Sequence, residues 1–344
     1  MICNENKSAF DNGGVVMIKR TFIVFSIVLI ALTFISINAY AQKKLAQTGF
    51  QFLSVGADAR AAALGDAFTT IEGNSGALFY NPAGIARTNK FVDLSANYTD
   101  WIADIKHYAF SMTLSPQNGK YGVFGLTVMA VDYGDIQGTM VWGNSQGYID
   151  TEIFQPRAFA IGIGYGRSLT DKFSVGGQIK QVAQDLGKSV VPDEETKNNV
   201  ASAIAFDFGT IYRTGFKSLT FGMSVRNFSD EVKFEKEGFQ LPLTFKVGWS
   251  ADMLDFFYDD HEEHSFVFSM DAAHPRSYPE YLAFGGEYTF IDMFALRVGY
   301  VSNQDEYGTT LGFGFNTFGL QIDYGYTPFG IFDSVHRFTF HFAK

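Results

Sequence analysis

The sequence predicts an all-β protein: a membrane-spanning antiparallel β-barrel of about 14 strands with an N-terminal helical plug. Three observations predict this fold. From Phe91 onward, about fourteen segments alternate apolar and polar residues, each near the ~10 residues that a tilted membrane strand needs. One face of these segments is polar and rich in glycine. The connections between the segments alternate between short and long.

The alternation is clearest in the last two segments. In residues 320–327, Leu, Ile and two Tyr share one face, and Gln, Asp, Gly and Thr share the other. Residues 337–342 repeat the pattern with three Phe residues opposite Arg, Thr and His. A period of two that is sustained through the chain predicts β-strands with one apolar and one polar face.

Alternation alone does not say which face lies inside, because a soluble β-sandwich alternates as well. The polar face favours a barrel with a hydrated or plugged lumen, since it combines glycines with many charged residues. The charged members are Lys180, Asp207, Arg226, Lys246, Asp271, Glu287, Arg297, Asp323 and Arg337. Aromatic residues near strand ends, such as Tyr288 with Phe290, fit the girdles at a membrane surface.

The connections support the same choice. Most of those on one side are tight turns, whereas residues 132–153, 187–199 and 228–240 on the other side are predicted to form long loops. Short periplasmic turns with long outer loops are typical of outer-membrane barrels. We therefore expect the long loops outside and both chain ends on the periplasmic side. Residues 252–264 are an exception, long where a short turn is expected.

Residues 56–88 do not alternate. Six alanines surround Arg60 and Asp66 in a run with good helix propensity, and residues 73–76 are typical of a turn. Asn81 and Pro82 then predict a helix start, with Asn as the N-cap and Pro at the first helical position. By itself, this short helical segment before a long β body fits either a plug inside a barrel or an N-terminal cap on a soluble β domain.

The N-terminus has the features of a secretory signal peptide. Lys19 and Arg20 precede an apolar run and an Ala-x-Ala cleavage site after Ala41, although an uncleaved membrane anchor is an alternative. Residues 1–16 are polar, so Met17 is the expected start. Three regions are thus predicted: a signal peptide at 1–41, a plug at 42–90 and a barrel at 91–344.

The one cysteine, Cys3, lies before Met17, so no disulfide, thiol catalysis or cysteine-based metal site is expected.

Other chemistry finds little support in the sequence. A net charge of −10 without a Lys/Arg cluster argues against nucleic-acid binding. The glycines at 162, 164 and 166 share one strand face and precede no helix, so they predict close approach of a plug or neighbouring backbone rather than a phosphate loop. Residues 259–264, which include His261 and His264, resemble a metal site but read better as a solvated loop. No nucleophile motif occurs, and neither catalysis nor a cofactor or metal is predicted.

Residues 56–86 resemble the N-terminal signature of the PorV/PorQ family of outer-membrane proteins. The matching positions are Gly56, Ala57, Arg60, Ala61, Ala62, Gly65, Ala67, Phe68, Ala77, Asn81, Pro82, Ala83 and Gly84. Two positions depart from the family: Leu64, where Met is common, and Asn74-Ser75, where acidic residues are expected. Residues 323–342 also resemble the end of this family. The resemblance names a plug motif formed by Gly56, Arg60, Gly65, Asn81, Pro82 and Gly84.

The resemblance also implies a function. The family is similar to the fatty-acid transporter FadL, a fourteen-stranded barrel with an N-terminal hatch, and includes components of the type IX secretion system that receive secreted substrates. We therefore expect a monomeric, non-enzymatic outer-membrane barrel that engages secreted proteins or other secretion components. The alternative is a FadL-like channel for small hydrophobic molecules. A passive structural barrel is a third option.

These alternatives make different demands on the lumen. A protein partner is expected to bind at the long loops, whereas a hydrophobic ligand requires an apolar pocket beside the plug. The charged polar face favours the protein partner. Apolar plug residues that could line a ligand path are Leu64, Phe68, Leu78 and Phe79.

Overall fold

The computed structural model describes residues 48–189, 197–234, 237–258, 263–304 and 308–344. Fourteen antiparallel strands form a closed barrel, which confirms the predicted fold class. The barrel strands are β1 (Val92–Asp100), β2 (Lys106–Leu114), β3 (Val123–Asp132), β6 (Arg157–Ser168), β7 (Phe173–Ser189), β8 (Lys197–Arg213), β9 (Thr220–Phe228), β12 (Thr244–Asp252), β13 (His264–Pro275), β14 (Tyr281–Phe290), β15 (Phe294–Val301), β16 (Thr309–Thr317), β17 (Leu320–Pro328) and β18 (Ser334–Ala343).

Two further strand pairs lie outside the barrel. Strands β4 (Ile136–Val141) and β5 (Tyr148–Phe154) form one hairpin between β3 and β6, and β10 (Val232–Lys233) and β11 (Gly238–Phe239) form another between β9 and β12. Four short 3-10 turns lie in connections, at Ile102–Asp104, Pro116–Gly119, Leu254–Phe256 and Gly330–Phe332.

The first and last barrel strands close the barrel. β1 pairs with β18 from Asp93 opposite Ala343 to Asp100 opposite His336, and with β2 on its other side. Each remaining barrel strand also pairs with two neighbours, so the barrel has no open edge strand. Closure matters in a membrane because the hydrocarbon offers no partner for an unpaired backbone N–H or C=O group.

The connections divide the barrel into two ends. The turn end carries the short connections, for example those after β2, β6 and β14, and the loop end carries the two extra hairpins. Both ends of one predicted loop, residues 187–199, are strand, because β7 continues to Ser189 and β8 starts at Lys197; residues 190–196 lie outside the described residues. Lys188 still pairs with Asn198, so the ladder runs past the neighbouring strand β6.

The two faces of the wall differ as the alternation predicts. Phe159, Ile161 and Ile163 point outward and are exposed, whereas Ala158 and Ala160 between them are buried. The charged residues of the predicted polar face point inward. Eight of the nine are buried: Lys180, Asp207, Lys246, Asp271, Glu287, Arg297, Asp323 and Arg337. None of the helices among the described residues is both long and apolar enough to cross a membrane.

The plug (residues 48–88) fills the lumen. It contains a 3-10 turn at Gln51–Ser54, an α-helix at Ala59–Ala63 and two further 3-10 segments at Ser75–Phe79 and Pro82–Arg87. Thr48 pairs with Gln240 at the loop end, whereas Arg87 bonds the turn after β6 at the opposite end. Residues 48–55 therefore lie at the loop end and Lys344 at the turn end. The plug therefore runs through the whole lumen before β1 begins. Residues 1–47 lie outside the described residues, so the periplasmic position of the N-terminus stays a prediction.

Candidate functional site

The short helix of the plug forms where the sequence offers a cap and small side chains. The side chain of Asp58 accepts a hydrogen bond from the Ala61 N–H at 3.0 Å, so it caps the helix Ala59–Ala63. Burial raises the pKa of Asp58, since desolvation penalises the charged carboxylate. Gly65, with a φ of 64°, turns the chain after the helix, and its N–H bonds Thr310 Oγ1.

Glycines of the wall receive this helix. A Cβ built on Gly325 would lie 2.7 Å from the Ala59 carbonyl oxygen, and one on Gly285 would lie 2.8 Å from Leu64 Cβ. Gly299 and Gly312 make equally close approaches to Gly65 and Ala63. The small residues on both surfaces let the plug backbone lie directly on the barrel wall.

Arg60 links the helix to a buried charge network. Its guanidinium donates to both carboxylate oxygens of Glu287, at 2.7 and 2.6 Å. Glu287 also accepts from Arg297 at 2.5 Å, and Arg297 donates to Asp323 at 2.7 Å. Two cations and two carboxylates thus neutralise one another inside the barrel, as buried charges require.

Polar wall residues satisfy the irregular backbone around this helix. Arg337 donates to the Gly56 carbonyl at 3.2 Å, and Lys246 donates to the Asp66 carbonyl at 2.8 Å. Asp271 accepts from the N–H groups of Phe68 and Thr69 and from the Thr69 hydroxyl. These contacts replace the water that an irregular segment would otherwise bind.

The predicted cap at Asn81 is present, and its side chain does more than cap. Asn81 Oδ1 accepts from the Ala83 N–H at 3.1 Å, with Pro82 at the first position of the 3-10 segment. Asn81 Nδ2 donates to the carbonyls of Thr69 and Thr210, at 2.7 and 3.2 Å. The amide therefore joins two parts of the plug to strand β8, which the sequence did not reveal.

The second part of the plug also rests on wall glycines. Pro82 covers Gly176, and Asn81 covers Gly209, so that a Cβ at either glycine would overlap the plug. Gly84 packs inside the plug, where a Cβ would lie 2.6 Å from the Ile71 carbonyl oxygen, and its own carbonyl accepts from Gly73 N–H.

The inward glycines of β6 support the prediction made from their spacing. Gly164 faces Leu78, and Gly166 faces Ile85, with the added Cβ 2.6 and 2.7 Å from these side chains. Gly162 instead makes room for Gln178 and Thr127 of the wall.

The six motif residues do not converge on one centre. Gly56, Arg60 and Gly65 lie against β14–β18, whereas Asn81, Pro82 and Gly84 lie near β6–β8. The motif thus specifies how the plug is seated at two separate places. Its wall partners, among them Thr310 and Gly176, are signalled in the sequence only as small or polar residues at inward positions.

A cavity of about 770 Å³ separates the plug from the connections of the loop end. Gly65, Asp66 and Tyr80 form part of its floor, and Tyr278 and Asn303 lie at the loop end. The four apolar plug residues considered for a ligand path do not line it. Leu64, Phe68, Leu78 and Phe79 are instead buried in packing contacts.

The acidic loop considered for metal binding is only partly described. His261 lies outside the described residues, and the His264 ring packs against Tyr288 and Phe290. Within the described ranges, no group of three or more His, Cys, Asp or Glu residues is placed to hold a metal ion.

Several solved structures are similar to this barrel. CymD, a monoaromatic hydrocarbon channel, is 12% identical with a TM-score of 0.52, and the match covers 84% of this chain and 98% of CymD. The toluene transporter TodX of Pseudomonas putida is 10% identical with a TM-score of 0.55 and coverages of 87% and 98%. A FadL homologue of Pseudomonas aeruginosa is 14% identical with a TM-score of 0.53 and coverages of 83% and 98%. At these identities the likeness shows the fold.

The sequence comparisons give the family. No curated protein matches the chain in sequence. The model of the family described as type IX secretion system protein PorV matches residues 38–270, which is more than half of the chain. Together with the plugged fourteen-stranded wall, this match shows that the chain is an outer-membrane β-barrel that belongs to the PorV family.

Proposed function

We propose that this barrel assists type IX protein secretion by holding a secreted protein or another secretion component at its loop end. The observation that carries the proposal is the hairpin β4–β5, which extends beyond the paired ends of β3 and β6. The proposal also draws on membership of the PorV family.

The hairpin exposes an unusual set of side chains. Val141 is 81% exposed, Ile153 61% and Trp142 50%, and Tyr148 is also exposed. A two-stranded hairpin is marginally stable in water, and exposed apolar clusters mark interaction surfaces. Trp and Tyr are also enriched among residues that dominate protein–protein binding. A protein partner would cover these side chains and stabilise the hairpin.

The hairpin tip is already ordered for such a contact. The Trp142 N–H donates to the Gly147 carbonyl at 3.0 Å, and the Asn144 side chain donates to the Tyr148 carbonyl at 2.9 Å. A preordered tip loses less conformational freedom on binding than a flexible loop would.

Co-purification from native membranes tests the proposal. The full chain is compared with a Val141→Ser and Trp142→Ser double variant, and with Thr139→Ser as a control on the same strand. We expect type IX secretion components or their secreted substrates to co-purify with the parent and control proteins, and to be largely lost from the double variant. Equal recovery of the same proteins from all three would contradict the proposal.

A channel for small hydrophobic molecules is the second candidate, and the cavity above the plug is the observation that favours it. CymD is a monoaromatic hydrocarbon channel and TodX is a toluene transporter, which suggests toluene as the test ligand. Liposomes that contain the purified barrel would take up labelled toluene faster than protein-free liposomes if this candidate holds. Equal rates would eliminate it.

A further inference from the structure

Exposed cations gather on one side of the turn end, just before β1 and in or beside the connections from β2 to β9. One of them, Arg213, pairs with Glu72 at 2.6 Å. The others, which we call the basic rim, are Lys90, Lys120, Arg167, Lys172 and Lys217. Asp171 is the one exposed carboxylate among the described residues of these connections. Because the whole chain has a net charge of −10, this local excess of positive charge favours an anionic partner.

The turns that carry the basic rim contact one another. The Tyr165 hydroxyl donates to the Tyr121 carbonyl at 2.8 Å, which joins the turn after β2 to strand β6. Lys172 Nζ donates to the Thr214 carbonyl at 3.0 Å, which joins the turn after β6 to the turn after β8. The cations therefore belong to one continuous surface.

Arg167 lies at the border of the outward face of β6. This face carries exposed apolar and aromatic side chains at alternate positions from 159 to 165, with Arg157 before them and Arg167 after them. The ten residues between the two arginines correspond to ~33 Å along a strand. At a tilt of about 40° this distance spans ~25 Å, which is the height of the apolar band of an outer-membrane barrel. Arg167 is therefore at the level of the lipid headgroups at the turn end.

The surroundings of the two arginines differ in charge. Arg157 lies in register with Asp132 of β3 and Asp185 of β7, so carboxylates of the wall balance it at the loop end. Arg167 lies in register with Val175 of β7. The positive charge at the turn end is thus available to an anion from outside the protein.

Aromatic side chains accompany the cations of the basic rim. Phe91, Tyr121 and Phe216 are exposed and follow or precede a lysine of the rim in the sequence. Lys120 Nζ lies 5.8 Å from the centre of the Tyr121 ring. Adjacent basic and aromatic residues are typical of a membrane interface, where the cations meet phosphates and the rings lie at headgroup level. An acidic protein would also use the cations, but the outward position of Arg167 directs the rim toward the bilayer.

We propose that the basic rim binds the phosphate groups of anionic phospholipids in the leaflet at the turn end, which the sequence predicts to be the periplasmic leaflet. The inference goes beyond the proposed function, which concerns the loop end. Residues 252–264 and 291–293, in other connections of the turn end, contain no Lys or Arg but include Asp255, Glu263 and Asp292. Anionic lipid should therefore gather beside β1–β9 rather than around the whole barrel.

Native mass spectrometry of the purified full chain in detergent tests the proposal. Dioleoyl-phosphatidylglycerol is the anionic probe. Dioleoyl-phosphatidylcholine, which has the same acyl chains but no net charge, is the reference lipid. Titration with each lipid gives the affinity of the first binding steps, and heat-modifiable gel mobility verifies that each variant is folded.

Three triple variants are compared with the parent chain. The rim variant removes three cations by Lys120→Gln, Arg167→Gln and Lys217→Gln. The charge-retaining variant changes the same positions by Lys120→Arg, Arg167→Lys and Lys217→Arg. The loop-end control removes three exposed cations at the other end of the barrel by Lys106→Gln, Arg157→Gln and Lys188→Gln, so its net charge equals that of the rim variant.

We expect the parent to bind phosphatidylglycerol at least about tenfold more tightly than phosphatidylcholine, because each cation near an anionic lipid surface contributes about fivefold. The loop-end control and the charge-retaining variant should keep most of this preference, whereas the rim variant should keep at most about twofold. Equal affinity of the parent for both lipids, or an equal loss of preference in the rim variant and the loop-end control, would overturn the proposal.

Two further probes represent other anions. Lipid A carries phosphates in the opposite leaflet, and an octaglutamate peptide represents an acidic protein. Both should bind more weakly than phosphatidylglycerol, and their binding should not depend on the basic rim. Tighter, rim-dependent binding of either one would overturn the assignment to phospholipid in favour of that ligand.

Discussion

Both halves of the plug pack on wall glycines, but buried charged side chains hold the first half more extensively than the second. The first half (residues 56–72) is joined to β13–β18 by charged side chains, such as Arg60 with Glu287 and Asp271 with the backbone at Phe68. The second half (residues 73–88) rests on β6–β8 by close packing, with Pro82 over Gly176 and Ile85 over Gly166.

The comparison shows two ways in which a barrel can bury an irregular segment. Charges satisfy the backbone but must themselves be neutralised, so one substitution disturbs several groups. Close packing needs no charge, but it requires that the wall have no side chain at the contact. Each mechanism can be broken separately, and hydrogen exchange of the two halves reports which has loosened.

Glu287→Ala should have the largest effect. It removes a carboxylate bonded to both Arg60 and Arg297, of which Arg297 is almost fully buried and keeps only Asp323. Removing one member of a buried ion pair costs about 3–5 kcal/mol. We expect faster hydrogen exchange in the first half than in the second, and a lower free energy of unfolding in urea. Glu152→Ala, at an exposed hairpin position, is the control. Equal loosening of both halves would mean that they are held as one unit.

Gly176→Ala should be next, with Gly177→Ala as its matched control. A Cβ at Gly176 would overlap the Pro82 backbone, whereas one at Gly177 would find its nearest neighbour 3.6 Å away. Overpacking costs about 1–3 kcal/mol. We expect the second half to exchange faster in Gly176→Ala only. Similar unfolding free energies for both variants would show that the plug can shift without cost.

A comparison of Asn81→Ala with Asn74→Ala separates the effect of losing a helix cap from the effect of losing the bonds that join Asn81 to Thr69 and Thr210. Both side chains cap a 3-10 segment, but only Asn81 also bonds the Thr69 and Thr210 carbonyls. Loss of a cap costs about 1 kcal/mol, and two buried carbonyls left unpaired add roughly 1–3 kcal/mol. Urea unfolding of the two variants measures the difference in their free energies of unfolding. Equal decreases would mean that Asn81 contributes only as a helix cap.

Arg213→Ala should have the smallest effect. Its side chain is 47% exposed, and its partner Glu72 keeps a second ion pair with Arg87 at 3.2 Å. Exposed pairs contribute less than about 1 kcal/mol. Hydrogen exchange of both halves should remain near that of the parent, and marked loosening would reveal that charge also holds the second half at the turn end.

The sequence by itself determined the wall. Because side chains alternate across a strand, the pattern of residues indicated the number of barrel strands, the inward position of residues such as Lys180, and the close approach at Gly164 and Gly166. Local rules also indicated the cap at Asn81. These features depend on residues close together in the chain.

The tertiary structure alone decided which inward residue meets which part of the plug. Arg60 and Glu287 are 227 positions apart, and only barrel closure and the path of the plug bring them together. The same holds for the 129 positions between Asn81 and Thr210. The continuation of β7 to Ser189, the start of β8 at Lys197 and the cavity at Arg226 likewise depend on pairing and packing between distant segments. The alternation of apolar and polar residues along a strand shows which face of the wall a side chain lies on. It carries no information about which plug residue that side chain contacts across the lumen.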